Sequence, residues 1–125
     1  MKTNPLSPRP HRARYRLGLS AERLCRLILR LKCYRILAVR YKTPVGEIDI
    51  VARRGRTVIA VEVKARPTRE EALFSVTPFQ QKRIANALLL FVKARHLAAY
   101  DLRFDVMLVT PRAWPMHLHN AFRVE

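Results

Sequence analysis

Three of the chain's nine acidic residues, Glu47, Asp49 and Glu62, fall in the stretch from Gly46 to Lys64, in or beside apolar strand-like runs. A carboxylate in such a place is costly unless a cation meets it. Lys64 is one pleat beyond Glu62, in the run Glu62-Val63-Lys64. Side chains alternate faces along a strand, so Glu47 and Asp49 share one face of their strand, and Glu62 and Lys64 share one face of the next. If these faces coincide on paired neighbours, Asp49 and Glu62 bring two carboxylates together, and two such groups cannot both stay ionised cheaply. A divalent cation resolves the conflict. Mg²⁺ (or Mn²⁺) suits it, as a hard ion held by one or two carboxylates, with waters and phosphate oxygens completing its shell. Lys64 would then orient a water or neutralise charge on a phosphate under attack. The same residues also fit an ordinary amphipathic hairpin with Glu62 and Lys64 in cross-strand ion pairs.

Composition names the partner class. The 125 residues suffice for one domain and carry 25 Lys and Arg, for a net charge of +16. Such a charge favours polyanions, chiefly nucleic acid, or an anionic membrane surface. Arg53, Arg54, Arg66, Lys82 and Arg83 are candidate nucleic-acid contacts, Glu47 a candidate supporting acid. Cys25 and Cys33 make neither a disulfide framework nor a metal spacing and read as residues of a reducing compartment. No apolar run approaches the ~20 residues of a membrane helix, and no apolar core follows the basic N-terminus. A soluble cytoplasmic protein is expected. Dinucleotide, phosphate-loop and Ser-His-Asp patterns are lacking in the sequence.

The positioning elements follow from pattern. Residues 1–16, with Pro5, Pro8 and Pro10 among five basic residues, read as a flexible basic arm, and residues 17–125 as a single domain. Ser20 is expected to cap a helix to about Lys32, with Leu24, Leu27, Ile28 and Leu31 facing the core; Glu22 falls off that stripe and reads as exposed. Strands are expected over Tyr34–Arg40, Glu47–Arg53 and Thr57–Ala65, joined as an antiparallel meander by turns at Pro44-Val45-Gly46 and Arg54-Gly55. Residues 66–76 read as a loop or frayed helical turn. Thr77, Pro78 and Gln80 then open a helix to about His96. Leu102 to Thr110 is a strand on which Asp105 and Arg103 read as a structural pair on the sheet, and an edge strand is expected over 121–124. His117 and His119 read as a solvated loop; Phe79 and Trp114 are expected to pack against the sheet. The fold class is α/β, a mixed sheet flanked by helices.

The run Gly46-Glu47-Ile48-Asp49-Ile50-Val51-Ala52, followed by Val61-Glu62-Val63-Lys64-Ala65-Arg66, resembles the PD-(D/E)xK nuclease pattern. More closely, it is similar to the YraN family of uncharacterised bacterial proteins, which themselves resemble archaeal Holliday-junction resolvases. The likeness extends to Gly18, Glu22 and Cys25, to Tyr34-Arg35-Ile36-Leu37, to Val76-Thr77-Pro78 with Gln80 and Lys82, and to Arg103-Phe104-Asp105-Val106 and Asn120-Ala121-Phe122. It covers residues 15–125. Cys33 stands where that family usually has Gly, and Arg40 where Asn is common. The resemblance implies a restriction-endonuclease-like fold, with Asp49 and Glu62 as metal ligands, Lys64 as catalytic lysine, Glu22 as a further acid and Gln80 near the site. Three readings follow: a metal-dependent endonuclease acting on DNA, with branched or structured DNA and a homodimer as its expected substrate and assembly; a nucleic-acid-binding module that keeps the nuclease fold without turnover; and a basic adaptor for another protein.

Overall fold

The computed structural model describes the backbone of residues 8–123 and the side chains of residues 20–123. Its elements are α1 (Pro8–Leu31), β1 (Arg35–Thr43), β2 (Gly46–Arg54), β3 (Thr57–Ala65), α2 (Arg69–Phe74), α3 (Pro78–Ala94), β4 (Asp101–Val109) and β5 (Met116–Leu118). The sheet runs in the order β1-β2-β3-β4-β5. The first three strands form the expected antiparallel meander, β4 lies parallel to β3, and β5 returns antiparallel to β4. A parallel pair needs a crossover, which α2 and α3 supply. The fold is thus α/β with a mixed sheet flanked by helices.

Two apolar layers hold the sheet. Cys25 and Leu29 of α1 pack with Ile50, Ala52, Ile59, Val61 and Met107 on one face. Ile84, Leu88 and Phe91 of α3 pack with Ile48, Val51, Val58 and Ala60 on the other. Both faces of the central strands are therefore covered, which explains the near-continuous apolar run of Val58 to Val61.

Helix α3 begins as its sequence predicts: Thr77 accepts a hydrogen bond from the Gln80 N–H, and Pro78 follows at the first helical position. Residues 69–74 of the expected loop form α2, capped by Thr68 with Glu70 and Glu71 in the first turn, where the helix dipole favours acids. Helix α1 differs from expectation. It starts at Pro8, so Ser20 is interior, and 8–16 of the expected basic arm has helical backbone. Proline suits a first helical position, and Arg, Ala and Leu are strong helix formers. Residues 1–7 of that arm lie outside the described residues.

The buried face of α1 is also rotated from the expected stripe. Ala21, Glu22, Cys25 and Leu29 are inside, whereas Leu27 and Leu31 are 51% and 76% exposed. The periodicity admits either face, and docking on the sheet selects the one carrying Glu22. The last strand is Met116–Leu118, paired with Val106 to Leu108, rather than 121–124; residues 121–123 carry no strand, and 124 lies outside the described residues.

Both departures from the resembled family occupy left-handed backbone, Cys33 at φ +70° and Arg40 at φ +50°. Gly adopts that region freely and Asn more readily than most residues, which accounts physically for the residues usually found there.

Candidate active site

The site forms where β2 and β3 part. Their ladder ends at Ile50↔Val61. One residue earlier in β2, Asp49 Oδ2 accepts a hydrogen bond from the Val63 N–H at 2.8 Å. A side chain thus takes the place of a strand neighbour, and the carboxyl is drawn into the gap. This differs from the expected pairing on one face of an intact ladder. Glu62 and Lys64 extend the Val58–Ala60 face toward α3, while Asp49 reaches in from the splayed strand. The Asp49 and Glu62 carboxyls come within hydrogen-bonding reach of each other, and Lys64 Nζ lies 3.1 Å from Glu62 Oε2. Glu62 and Lys64 are buried.

Two elements beyond the hairpin complete the group. Helix α1 brings in Glu22, which is buried and feels the charge of Asp49. Helix α3 brings in Gln80. Its surroundings orient the amide so that the nitrogen donates to the Ser75 carbonyl at 2.9 Å and the oxygen accepts from Lys64 Nζ at 3.1 Å. The approach of α3 depends on Gly46: a Cβ there would overlap the Arg83 carbonyl.

The electrostatics are those of incomplete neutralisation. Burial pushes the Glu62 carboxyl up to about 8, the Asp49 charge adds to this, and Lys64 only partly offsets it. Burial raises Asp49 as well, against hydrogen bonds from Val63 and Glu62. Glu22 is raised by burial and by Asp49, with Arg40 and Arg26 opposing. The Cys25 thiol beneath is pushed up to about 12 by burial and the two acids, so it is an inert core residue. This donor set fits a hard divalent cation: Asp49 and Glu62 are adjacent, acceptor-rich when ionised, and kept from ionising by each other.

Sequence reasoning missed Arg40. Its Nε lies 3.7 Å from Glu22 Oε1, and its side chain is half exposed. A signal was present: counting back equally on both sides of the Thr43–Gly46 turn sets Arg40 opposite Asp49, between the pairs Val39↔Ile50 and Tyr41↔Ile48.

The other candidates are dispersed. Glu47 is exposed two residues before Asp49, to whose charge it adds. Arg53 and Arg54 stand at the far end of β2, roughly 13 and 17 Å along the strand from Asp49 at about 3.3 Å per residue. Arg53 donates to the Tyr100 hydroxyl at 2.9 Å, and Arg54 stacks on Tyr34 and donates to the Lys32 carbonyl. Arg66 and Lys82 are exposed and Arg83 partly buried, all on the segments that follow β3 toward α3.

A second acid centre lies on the α1-covered face of β4. Asp105 is fully buried, and the structural pair with Arg103 expected from the sequence is present. Arg103 donates to both of its oxygens at 2.8 Å, His117 Nε2 lies 2.8 Å away, and the Asn120 N–H donates at 2.9 Å. Burial alone would raise this carboxyl; the hydrogen bonds outweigh it and hold it well below the usual carboxylate range. His117 sits in β5 with its side chain only 3% exposed, not in a solvated loop. The ligand atoms of Asp105, His117 and His119 lie within 4.8 Å of one another. The set is nonetheless poor for a cation. Arg103 holds both carboxylate oxygens, His117 Nε2 is engaged with Asp105, and the Lys32 ammonium lies 2.9 Å from His117 Nδ1.

Among the described residues no helix is long and apolar enough to cross a membrane. Residues 21–109 match the profile of a family described as "Uncharacterised protein family UPF0102". A UPF0102 protein of Parvibaculum lavamentivorans is 54% identical over 112 residues, covering 89% of this chain and 84% of that one. Another, from Bradyrhizobium diazoefficiens, is 50% identical over 111 residues, covering 88% and 84%. Among solved structures, Archaeoglobus fulgidus Hjc, a Holliday junction resolvase from an archaeal hyperthermophile, superposes with a TM-score of 0.50 at 23% identity, over 86% of this chain and 83% of that one. At that identity the likeness concerns the fold.

Proposed function

The chain belongs to the UPF0102 family, and on that premise we propose that it is a metal-dependent endonuclease hydrolysing phosphodiester bonds in DNA, with branched or otherwise structured DNA as its preferred class. The observation that carries the reading is the burial of Asp49 and Glu62 side by side, with Lys64 on Glu62 and Glu22 within the field of Asp49, under only partial charge compensation. Keeping repelling carboxylates buried costs stability, and such perturbed groups concentrate at functional sites. The net charge of +16 supports a polyanionic substrate. The fold shared with a Holliday junction resolvase supports DNA, and a two-fold junction would be met by two copies of the chain.

In this reading Asp49 and Glu62 hold a Mg²⁺ or Mn²⁺ ion, which when bound neutralises phosphate charge and makes water a better nucleophile. The chain's own residues do the rest. The Val63 N–H fixes Asp49 Oδ2 and so holds the carboxyl toward Glu62. Lys64, steered by Glu62 and Gln80, keeps a proton-rich ammonium where negative charge develops on the phosphate. Glu22 orients water or a second cation, and Arg40 offers its exposed guanidinium to a neighbouring phosphate.

The test is cleavage of branched and linear DNA with Mg²⁺ or Mn²⁺. Metal-dependent nicking is expected, lost in Asp49→Ala and Lys64→Ala with DNA binding retained. Undiminished cleavage by Lys64→Ala would expose a contaminant and sink the assignment. Binding with no cleavage under either metal would leave a binding module on a nuclease fold.

A further inference from the structure

Phe74 and Phe79 are 84% and 73% exposed, although Phe79 reads in sequence as a packing residue. Phe74 closes α2, and Phe79 is the second residue of α3. Phe79 is adjacent to Gln80, whose amide reaches Lys64, and Phe74 is adjacent to Ser75, whose carbonyl Gln80 holds. Both exposed rings are thus carried by the short segment, from the end of α2 to the start of α3, that also holds Gln80 on Lys64.

The charge around them points to the occupant. The Arg83 guanidinium lies 5.9 Å from the Phe79 ring centroid, and Arg66, Arg69 and Lys82 are exposed on the same segments. These outnumber Glu70 and Glu71, which serve the first turn of α2. A purely apolar partner would leave these cations unmatched. A nucleic-acid strand matches both features, offering phosphates to the cations and base faces to the rings. Continuous duplex hides its base faces in the stack, so two exposed rings gain nothing from it. Unpaired bases present theirs.

We propose that Phe74 and Phe79 form a stacking platform for unpaired nucleobases of DNA beside the acid cluster, selecting single-stranded, gapped or branched regions over continuous duplex. This rests on the nuclease reading only for naming DNA as the strand. It concerns binding without metal, so the absence of cleavage would leave it standing.

The experiment uses the full chain in EDTA with fluorescein-labelled single-stranded, flapped and duplex oligonucleotides of one sequence, plus single strands carrying 2-aminopurine. Wild type should bind the first two more tightly than duplex and change the 2-aminopurine emission. Phe79→Ala should weaken single-strand and flap binding about tenfold and abolish the emission change, with duplex binding altered less than about twofold. Phe79→Trp should restore both. Equal losses on duplex and single strand, or no loss on either, would overturn the proposal. So would a wild-type dimer in sedimentation equilibrium without DNA that Phe79→Ala dissociates, since the rings would then belong to a second copy of the chain.

Discussion

Two buried carboxylate centres occupy the same sheet and have opposite characters. Asp105 collects two hydrogen bonds from Arg103, one from the Asn120 N–H and a contact with His117, and its carboxyl is held low. Glu62 has Lys64 on one side and the competing Asp49 on the other, and its carboxyl is pushed up to about 8. Burial is alike in the two places; completeness of pairing is not. The satisfied centre ties β4 and β5 to the turn between α1 and β1 through Lys32 and Tyr34. The unsatisfied one retains capacity for a cation, because a group whose neighbours already neutralise it has nothing left to offer a ligand. Proximity of ligand-type atoms alone would favour the Asp105 centre, whereas completeness of pairing points to the Glu62 centre.

The strongest way to break this comparison is Asp105→Ala. It strands the Arg103 guanidinium and His117, and loss of one partner of a buried pair costs about 3–5 kcal/mol. Urea denaturation should read that loss, while metal-dependent cleavage per folded molecule stays near wild type. At the other centre the pattern should invert. Lys64→Ala should lower cleavage on the order of 10²–10³-fold, the scale for removing one group that stabilises developing charge, with a smaller stability loss than Asp105→Ala, because Glu62, already raised to about 8, takes up a proton when its partner is gone.

A third test uses the sign of the titration. Glu62 has its folded value raised to about 8 from an ordinary 4.5. A raised group contributes stability that is present below the unfolded value and lost as pH rises through the folded one. The metal-free protein should therefore lose stability between pH 4.5 and 8. Glu62→Gln cannot ionise. In EDTA at pH 8 it should be more stable than wild type, on the order of 2 kcal/mol after giving up the Lys64 pair, with no advantage near pH 5. Mg²⁺ should raise the melting temperature of wild type and not of the variant. An advantage equal at both pH values would show that Glu62 is not a strained acid. The smallest effect is expected for His119→Ala. His119 is exposed and stacks on His117 at a centroid distance of 3.9 Å. Stability should fall by no more than about 0.5 kcal/mol, with Mg²⁺ affinity by calorimetry unaltered. A marked drop in affinity would move the metal to the Asp105 centre.

Much of the architecture was legible because its signals are local. The Thr77-Pro78 start of α3, the Gly55 turn and the Val/Ile runs of β2 and β3 each act within a few residues. The face of α1 was not legible, because Leu24, Leu27, Ile28 and Leu31 make as good a stripe as Ala21, Cys25 and Leu29, and only docking on the sheet chooses. The pairing of Asp105 with Arg103 was legible from their spacing on one strand, but the closure of His117 and Asn120 over it was not, because that depends on how the chain returns after β4. Arg40 could have been found by register from its turn, although its contact with Glu22 could not.

The sequence alone determined the helix and strand order, the strongly basic charge, and the placement of Asp49, Glu62 and Lys64 on adjacent strands, since these depend on residue type and short spacing. Tertiary structure decided what those residues amount to. The parting of β2 from β3 aims Asp49 at Glu62, the docking of α1 delivers Glu22, and the close approach of α3 over Gly46 sets Gln80 on Lys64. Each of these depends on the distance between segments far apart in the chain. Electrostatic cost depends on such distances and on burial, neither of which any stretch of sequence carries by itself.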